Sequence, residues 1–295
     1  EKMNGRKYRY NIQTCLEQNA GKKSIMQAIR ESEDVYLYEV KDSLRKQIIM
    51  ICNQMKKEVH ITLSLEDIIM RSYDVSHAFD TPLVRNRKNI SRWYFPFVKR
   101  AFDILVSLTV LVLLSPVLII TAIAIKAYDG GPVFYKQVRM TKGGRQFHII
   151  KFRSMIPDAE KGRAKLAAEN DDRITPVGKI IRKTRIDELP QLINILKGDM
   201  TCVGPRPERP EIAREYEETL PEFSMRLAVK AGLTGYAQVY GKYNTTPEDK
   251  LKLDMIYITN QSVLMDLQIL FYTVKIIFVP ESTEGVAAGQ ETALK

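Results

Sequence analysis

Residues 104–125 read ILVSLTVLVLLSPVLIITAIAI, a run without a single charge, and its reading decides what fold the rest of the chain can adopt. At ~1.5 Å per residue a straight helix of this length reaches across the ~30 Å hydrocarbon layer of a bilayer, so a transmembrane helix is the first reading. Two features oppose it. Ser115-Pro116 sits at the middle of the run, where a proline removes a backbone hydrogen bond and clashes with the preceding turn. Positive charge lies beyond both ends, Arg92, Lys99 and Arg100 on one side and Lys126, Lys136, Arg139 and Lys142 on the other, which favours both ends on the cytoplasmic side. A helix-break-helix hairpin that enters one leaflet and returns satisfies both facts. Ser115 would then help satisfy the backbone groups freed at the break, and Trp93, Tyr94, Phe95 and Phe97 would form an aromatic anchor at the interface. A spanning helix and a buried core helix are the alternatives, the second disfavoured by the length of the run.

Beyond the run, Asp129-Gly130-Gly131-Pro132 is a turn, and Val133–Met140 and Arg145–Arg153 read as strands of a hairpin joined by Thr141-Lys142-Gly143-Gly144. The hairpin ends in Lys151-Phe152-Arg153-Ser154-Met155, two cations around an aromatic, suited to a phosphate unless this is only a solvated strand end. Pro157–Glu169 reads as a charged helix.

The densest chemistry lies in residues 179–207, KIIRKTRIDELPQLINILKGDMTCVGPRP. Arg182 and Arg185 are three apart, which puts them on one face of a helix. Asp187-Glu188 opens the next helix, with Pro190 in its first turn and Gly198 past its end. Carboxylates beside guanidinium groups stay ionised. Such an Asp either attacks phosphorus or holds a divalent metal, or it merely caps a helix.

Upstream, Ser24–Glu31 and Ser43–Lys57 read as helices and Asp34–Val40 and Glu58–Leu65 as strands, an alternation that implies a parallel sheet. No G-x-G-x-x-G loop is present, so residues 1–90 read as a truncated doubly wound, Rossmann-like cytosolic regulatory domain without nucleotide chemistry. The polar stretch from Arg71 to Trp93 reads as its linker. Downstream, Glu208–Leu220 is a charged helix, with Glu208 close enough to the Pro-Arg-Pro turn to support it. Gly232–Gly241 is glycine-punctuated around Thr234, Tyr236 and Gln238, and a nucleobase or sugar pocket is its expected use. Pro247–Gln261 is a polar helix with Asp254 and Tyr257 on one face. Val263–Val279 carries an apolar surface suited either to a membrane interface or to the domain core. Residues 281–295 read as a disordered tail.

The 295 residues carry a formal charge of +10, from 45 Lys and Arg against 35 Asp and Glu. That predicts an anionic partner. The cations cluster beside apolar segments rather than on a soluble face, which argues against nucleic acid. Cys15, Cys52 and Cys202 show no disulfide or zinc pattern, and His60, His77 and His148 no metal spacing. The chain begins at Glu1 without a secretory pattern, which reads as a fragment or a processed product.

Taken together these pieces resemble the bacterial sugar transferases, monotopic polyprenyl-phosphate phosphosugar transferases of the larger type that initiates exopolysaccharide, capsule or O-antigen. The matching pieces are Lys99-Arg100-Ala101-Phe102-Asp103 before the Ser115-Pro116 segment, Lys151-Phe152-Arg153-Ser154-Met155, Asp187-Glu188-Leu189-Pro190-Gln191, and Gly198-Asp199-Met200 running into Val203-Gly204-Pro205-Arg206-Pro207. Gly232–Val239 and Asp254 with Tyr257-Ile258 follow. The likeness covers residues 96–279.

The resemblance implies a mostly helical monotopic catalytic domain over 128–280, behind an aromatic and basic anchor and re-entrant hairpin over 91–127. It also implies a reaction at the cytoplasmic face of the bacterial inner membrane. Asp187 attacks the sugar-bearing phosphorus of a UDP-sugar and releases UMP, and polyprenyl phosphate, undecaprenyl phosphate in the family, takes up the phosphosugar. Asp187 and Glu188 match the family's catalytic and Mg²⁺-binding pair, Arg182 its phosphate-binding arginine, and Pro205-Arg206-Pro207 its Pro-Arg-Pro turn. Lys151, Arg153, Arg185 and Gln238 are the further substrate candidates. Arg185 and Cys202 depart from the common pattern, leaving open whether Arg185 binds substrate or pairs with Glu188. Larger members add an N-terminal membrane bundle and suggest a homodimer. Outside this class, the chain reads as a membrane-attached nucleotide-binding scaffold. An ordinary UDP-sugar glycosyltransferase is weakened by the lack of an Asp-x-Asp motif.

Overall fold

The computed structural model describes residues 12–17, 19–38, 40–70, 73–78, 81–86, 94–157, 171–241 and 245–277. Trp93, the expected helix from 158 onward and the C-terminal tail lie outside them. The fold mixes helix and strand and is mostly helical, and the chain divides into two compact units between Ser64 and Leu65.

The first unit is a βαβ crossover preceded by a helix. α1 (Lys22–Glu31) leads to β1 (Asp34–Leu37), and α2 (Asp42–Gln54) carries the chain back to β2 (Glu58–Ile61). The strands pair in parallel, Asp34 opposite Glu58 through Leu37 opposite Ile61. Ile29, Leu37, Ile48 and Cys52 form its core. Both strands are shorter than the apolar pattern predicts, and just past the end of the pair Thr62 donates its N–H and its hydroxyl to the Leu37 carbonyl. His60, exposed, stacks on Tyr36.

Leu65, read as the end of a strand, instead opens α3 (Leu65–Met70) in the second unit. Ile68 of α3 is buried with Tyr216, Phe223, Leu251 and Met255. The stretch read as a linker contains an antiparallel hairpin, β3 (Tyr73–Ala78) and β4 (Thr81–Asn86). Its polar composition masked the pairing, since a two-stranded ribbon has no need of an apolar run, and Pro82 is tolerated on an edge strand.

α4 (Phe95–Leu113) and α5 (Ser115–Asp129) meet at Leu114 with a 63° bend. The break is where Ser115-Pro116 predicts it. Pro116 falls in the first turn of α5, where its missing N–H costs nothing, and Ser115 Oγ donates to the Val112 carbonyl at 2.8 Å. Among the described residues no single helix is long and apolar enough to cross a membrane.

The pair is built inside out. Asp103, Ser107 and Thr121 are buried, while Leu105, Leu108, Val112, Leu113, Ile119, Ile120 and Ile123 are exposed. Of the expected aromatic anchor, Phe97 and Tyr94 are exposed and Phe95 is buried. Two of the flanking cations turn inward, whereas Lys126, Lys136 and Lys142 stay exposed. Lys99 is paired with Asp266 at 2.5 Å, and Arg100 donates to the carbonyls of Ile195 and Leu196 at 2.6 and 2.8 Å. A long side chain at a helix end reaches inward when carbonyls without helical partners wait there.

β5 (Phe134–Met140) and β6 (Gln146–Phe152) form the expected hairpin, Phe134 opposite Phe152. α6 (Pro176–Lys183) and α7 (Gln191–Lys197) follow. Next come β7 (Thr201–Val203), α8 (Pro210–Thr219), a 3-10 segment at Pro221–Ala228, and β8 (Gly232–Thr234), which pairs in parallel with β7. α9 (Tyr236–Tyr240), α10 (Pro247–Thr259) and α11 (Val263–Ile277) complete the unit.

The core gathers Phe147, Ile149, Leu192, Ile195, Met200, Val203, Tyr257 and Ile269. In α11 Asp266 and Ile269 turn inward to the core, and Leu264, Leu267, Phe271 and Val274 stand exposed in a stripe. α10 is less polar in place than in sequence, with Asp254 and Tyr257 both about fully buried.

Candidate active site

Three elements converge on Glu188. A 3-10 turn at Ile186–Glu188 carries it, β6 supplies Lys151, and the loop after β7 supplies Arg206. Glu188 Oε1 accepts from Lys151 Nζ and from Arg206 Nη2, each at 3.0 Å. The turn exists because α6 stops at Lys183 and Arg185 takes a left-handed conformation, φ 58°, a backbone state that a non-glycine residue holds only under constraint. Arg182 and Arg185 therefore do not share a helical face. The turn redirects the chain so that Asp187 and Glu188 enter the cluster before α7 begins at Gln191. Gly198 ends α7 with φ 88°, as its place past the apolar pattern predicts.

The two carboxylates differ in environment. Burial works against the charge on Glu188, but Lys151, Arg206 and Arg185 outweigh it and hold the carboxyl well below the usual range. Asp187 moves the other way: burial and the neighbouring Glu188 charge push it up to about 6, against Lys151, Arg182 and Arg185. Its Oδ1 is buried without a hydrogen-bond partner. Asp187 is not a helix cap, since α7 is preceded by Pro190 and has no side-chain cap. Arg182 and Arg185 act on Asp187 through their charge, and Arg185 acts on Glu188 as well. The expectation of a plain ionised pair gives way to a split pair, one carboxylate firmly charged and one more basic than usual, which is how acid–base roles separate at a site.

The turn that presents Arg206 is held from behind. Pro205 accepts from Gly232 N at 2.8 Å, and Gly204 N donates to the Thr234 carbonyl at 2.8 Å. A Cβ on Gly232 would lie 2.1 Å from Gly204 N, and one on Gly235 would lie 2.1 Å from Gly204 O. Gly232 and Gly235 thus admit the Gly204-Pro205 backbone, while Gly241 packs against the Ala237 carbonyl, so their close approach is to protein backbone. Gln238 is part of that support: its Nε2 donates to the Leu233 carbonyl at 3.0 Å, and its Oε1 is buried without a partner.

Arg153 is also placed elsewhere. Its Nη1 donates to Asp129 Oδ2 at 2.8 Å, Nη2 to Asp129 Oδ1, and Nε to the Pro132 carbonyl at 2.7 Å. That fork ties the end of α5 to the end of β6, and Arg153 is a structural clamp in place of a phosphate cation. Of the sequence candidates, Asp187, Glu188, Lys151, Arg182, Arg185 and Arg206 come together. Pro205 and Pro207 frame Arg206.

The family model of the bacterial sugar transferases matches residues 94–280. The chain belongs to the bacterial sugar transferases. It is 42% identical over 186 residues to a UDP-N-acetylgalactosamine-undecaprenyl-phosphate N-acetylgalactosaminephosphotransferase of Aeromonas hydrophila, across 62% of this chain and 44% of that one. It is 37% identical over 210 residues to a UDP-glucose:undecaprenyl-phosphate glucose-1-phosphate transferase of Escherichia coli, across 70% and 44%. An exopolysaccharide production protein of Rhizobium leguminosarum is 40% identical over 197 residues, across 64% of this chain and 96% of its own length. The chain thus spans less than half the length of the first two relatives.

Two residues of this sugar transferase are given no role by the sequence reading, although Gln191 stands in the quoted motif. Gln191 is buried at 3% exposure with Nε2 unpartnered, four positions beyond Asp187. Arg226 is buried at 4% in a stretch, PEFSMRLA, whose composition offers no signal beyond one cation among apolar residues.

Proposed function

We propose that this sugar transferase moves a sugar-1-phosphate from a UDP-sugar to polyprenyl phosphate, with undecaprenyl phosphate as the acceptor, and so starts a lipid-linked polysaccharide. The observation that carries the reading is the buried, unpartnered Oδ1 of Asp187 beside a cluster of cations. A carboxylate titrating near 6 is still largely ionised at neutral pH yet more basic than an ordinary aspartate, the combination an oxygen nucleophile needs.

In the first step Asp187 Oδ1 bonds to the sugar-bearing phosphorus, the bond from that phosphorus to the bridging oxygen breaks, and UMP departs with the electron pair. In the second, an oxygen of polyprenyl phosphate bonds to the same phosphorus and the Asp187 carboxylate is released, leaving a polyprenyl diphosphate sugar. Lys151, Arg206 and Arg182 would balance the charge that spreads over the phosphoryl oxygens, the main requirement of such transfers.

Mg²⁺ fits the donor set, since Asp187 keeps an unengaged oxygen and hard carboxylate oxygens are what this ion takes. Asp187 and Glu188 would hold it, and it would neutralise diphosphate charge when bound. The apolar outer face of α4 and α5, with polar residues turned inward, supports a re-entrant seat in one leaflet at the cytoplasmic face of the bacterial inner membrane, in contact with membrane lipids. That seat would bring the lipid acceptor to Asp187. A homodimer is proposed from the resemblance alone.

The test is purified protein with polyprenyl phosphate, Mg²⁺ and a panel of UDP-sugars, scored by UMP release. The expected result is release with at least one donor and none in Asp187→Asn. Without acceptor, a single turnover should leave the phosphosugar mass on Asp187. No UMP with any donor, or full activity in the variant, overturns the reading.

A further inference from the structure

Arg206 bonds Glu188, yet it is the most exposed of the three groups that Glu188 joins. Its side chain is 38% exposed, against 19% for Lys151 and 14% for Glu188. A long side chain that exposed keeps its aim only if its backbone is immobile, because its own rotamer freedom is otherwise large.

Behind the Arg206 backbone lies a second charged network that never reaches the site. Arg226 Nη2 donates to the main-chain carbonyl of Arg206 at 2.9 Å. Arg226 Nε donates to Asp254 Oδ2 at 2.9 Å, Nη2 lies 2.7 Å from the same oxygen, and Nη1 donates to Glu208 Oε1 at 3.3 Å. Lys250 of α10 also bonds Glu208 Oε1. The guanidinium rests over the Phe223 ring, 4.8 Å from its centroid. Each guanidinium nitrogen of Arg226 is engaged, and both Arg226 and Asp254 are buried too deeply to touch a substrate. One residue further along, Arg139 Nη1 donates to the Pro207 carbonyl at 3.3 Å.

We propose that Arg226 is a positioning residue for Arg206, gripping its main-chain carbonyl from a rigid mount of Asp254 and Glu208 and thereby keeping its guanidinium on Glu188. Buried ion pairs are weak contributors to stability, because desolvation offsets their attraction. Here the network ends on the one carbonyl whose movement would swing a site cation. Arg226 has the fork geometry the task requires, since it must reach two acids and a carbonyl at once. The inference rests on the proposed phosphoryl transfer only for its kinetic consequence, not for its geometry.

The kinetic test is a double-mutant cycle with Arg206→Ala on UMP release. Arg226→Met should lower kcat ~10- to 100-fold with little change in KM for the donor, the range expected when a group is displaced by about an ångström. In the Arg206→Ala background the same change should cost less than ~3-fold. Arg226→Lys, which keeps the charge and loses the fork, should remain impaired. An equal cost in both backgrounds, or rescue by Lys, overturns the proposal. Asp254→Asn, isosteric and milder, repeats the cycle should Arg226→Met fail to fold.

A second arm needs no turnover. In full-length protein in nanodiscs, the Arg206 Nε–H resonance, identified by its loss in Arg206→Ala, should be one sharp signal that broadens or shifts in Asp254→Asn. An unchanged signal rejects the mount even where UMP release supports the proposed function. Conversely, a chain that releases no UMP leaves this arm to decide alone.

Discussion

Two buried aspartates show how differently one residue type is used in this chain. Asp103 on α4 is 3% exposed, and its carboxylate accepts from Thr201 Oγ1 at 2.8 Å and from Cys202 N at 2.9 Å. Asp187 lies on the turn before α7 with an oxygen that is buried and bonded to nothing. The first carboxylate is hydrogen-bonded by fixed donors and holds α4 against β7, whereas the second keeps an unpartnered oxygen among cations. A carboxylate whose oxygens are met by fixed donors serves structure, and a buried carboxylate oxygen without them marks a candidate functional group.

The contrast can be broken most sharply at Asp187. Asp187→Asn should cut UMP release by at least ~10³-fold, equivalent to about 4 kcal/mol of barrier, while the melting temperature stays or rises because a buried charge is gone. A large loss of melting temperature would make Asp187 structural after all.

Gly232→Ala tests the support of Arg206. Its Cβ would meet backbone on both sides, at 2.1 Å from Gly204 N and 2.4 Å from Thr234 O. Thermal melts should show a loss on the order of 3 kcal/mol, as for other overpacked sites, together with a kcat deficit in whatever folds. Wild-type activity would show that Arg206 does not depend on this packing.

Asp103→Asn should do the reverse of Asp187→Asn. Charged hydrogen bonds of this kind are worth about 1.5–3 kcal/mol, so denaturant titration should show roughly that loss while kcat per folded molecule changes less than ~10-fold.

The pH dependence of stability sharpens the comparison further. Asp187 has its folded pKa raised, from 3.8 to about 6, so the folded state binds this proton more tightly than the unfolded one. Its contribution is stabilising at acid pH, fully present below the unfolded value, and is lost as pH rises through about 6. With metal chelated, wild type should lose on the order of 2 kcal/mol relative to Asp187→Asn between pH 4 and pH 7. Parallel curves for the two proteins would contradict the raised value.

The smallest effect is expected at the rim. Arg145 pairs with Asp199 at 3.3 Å and is 59% exposed, so Arg145→Ala should change stability by less than about 0.5 kcal/mol and leave UMP release intact.

Short-range physics is legible along the chain itself. Ser115-Pro116 predicts a break because proline lacks an N–H, Gly198 a helix end because it enters the left-handed region freely, and Thr141–Gly144 a tight hairpin turn. Each is found where it was read. The carboxylate pair and the Pro-Arg-Pro turn were legible as chemistry for the same reason, since their residue types are adjacent.

Which distant partner each charge meets is set by packing between elements, not by order along the chain. Lys151 and Arg153 read alike two positions apart, yet one reaches Glu188 and the other Asp129. Gly232 and Gly235 read as room for close approach, and the structure shows that the backbone of Gly204 takes that room. Charge and volume at close range depend on distances of a few ångströms between elements far apart in the chain. Periodicity and spacing carry no record of those distances, so Asp187 emerged as the unsatisfied carboxylate only once every neighbour was in place.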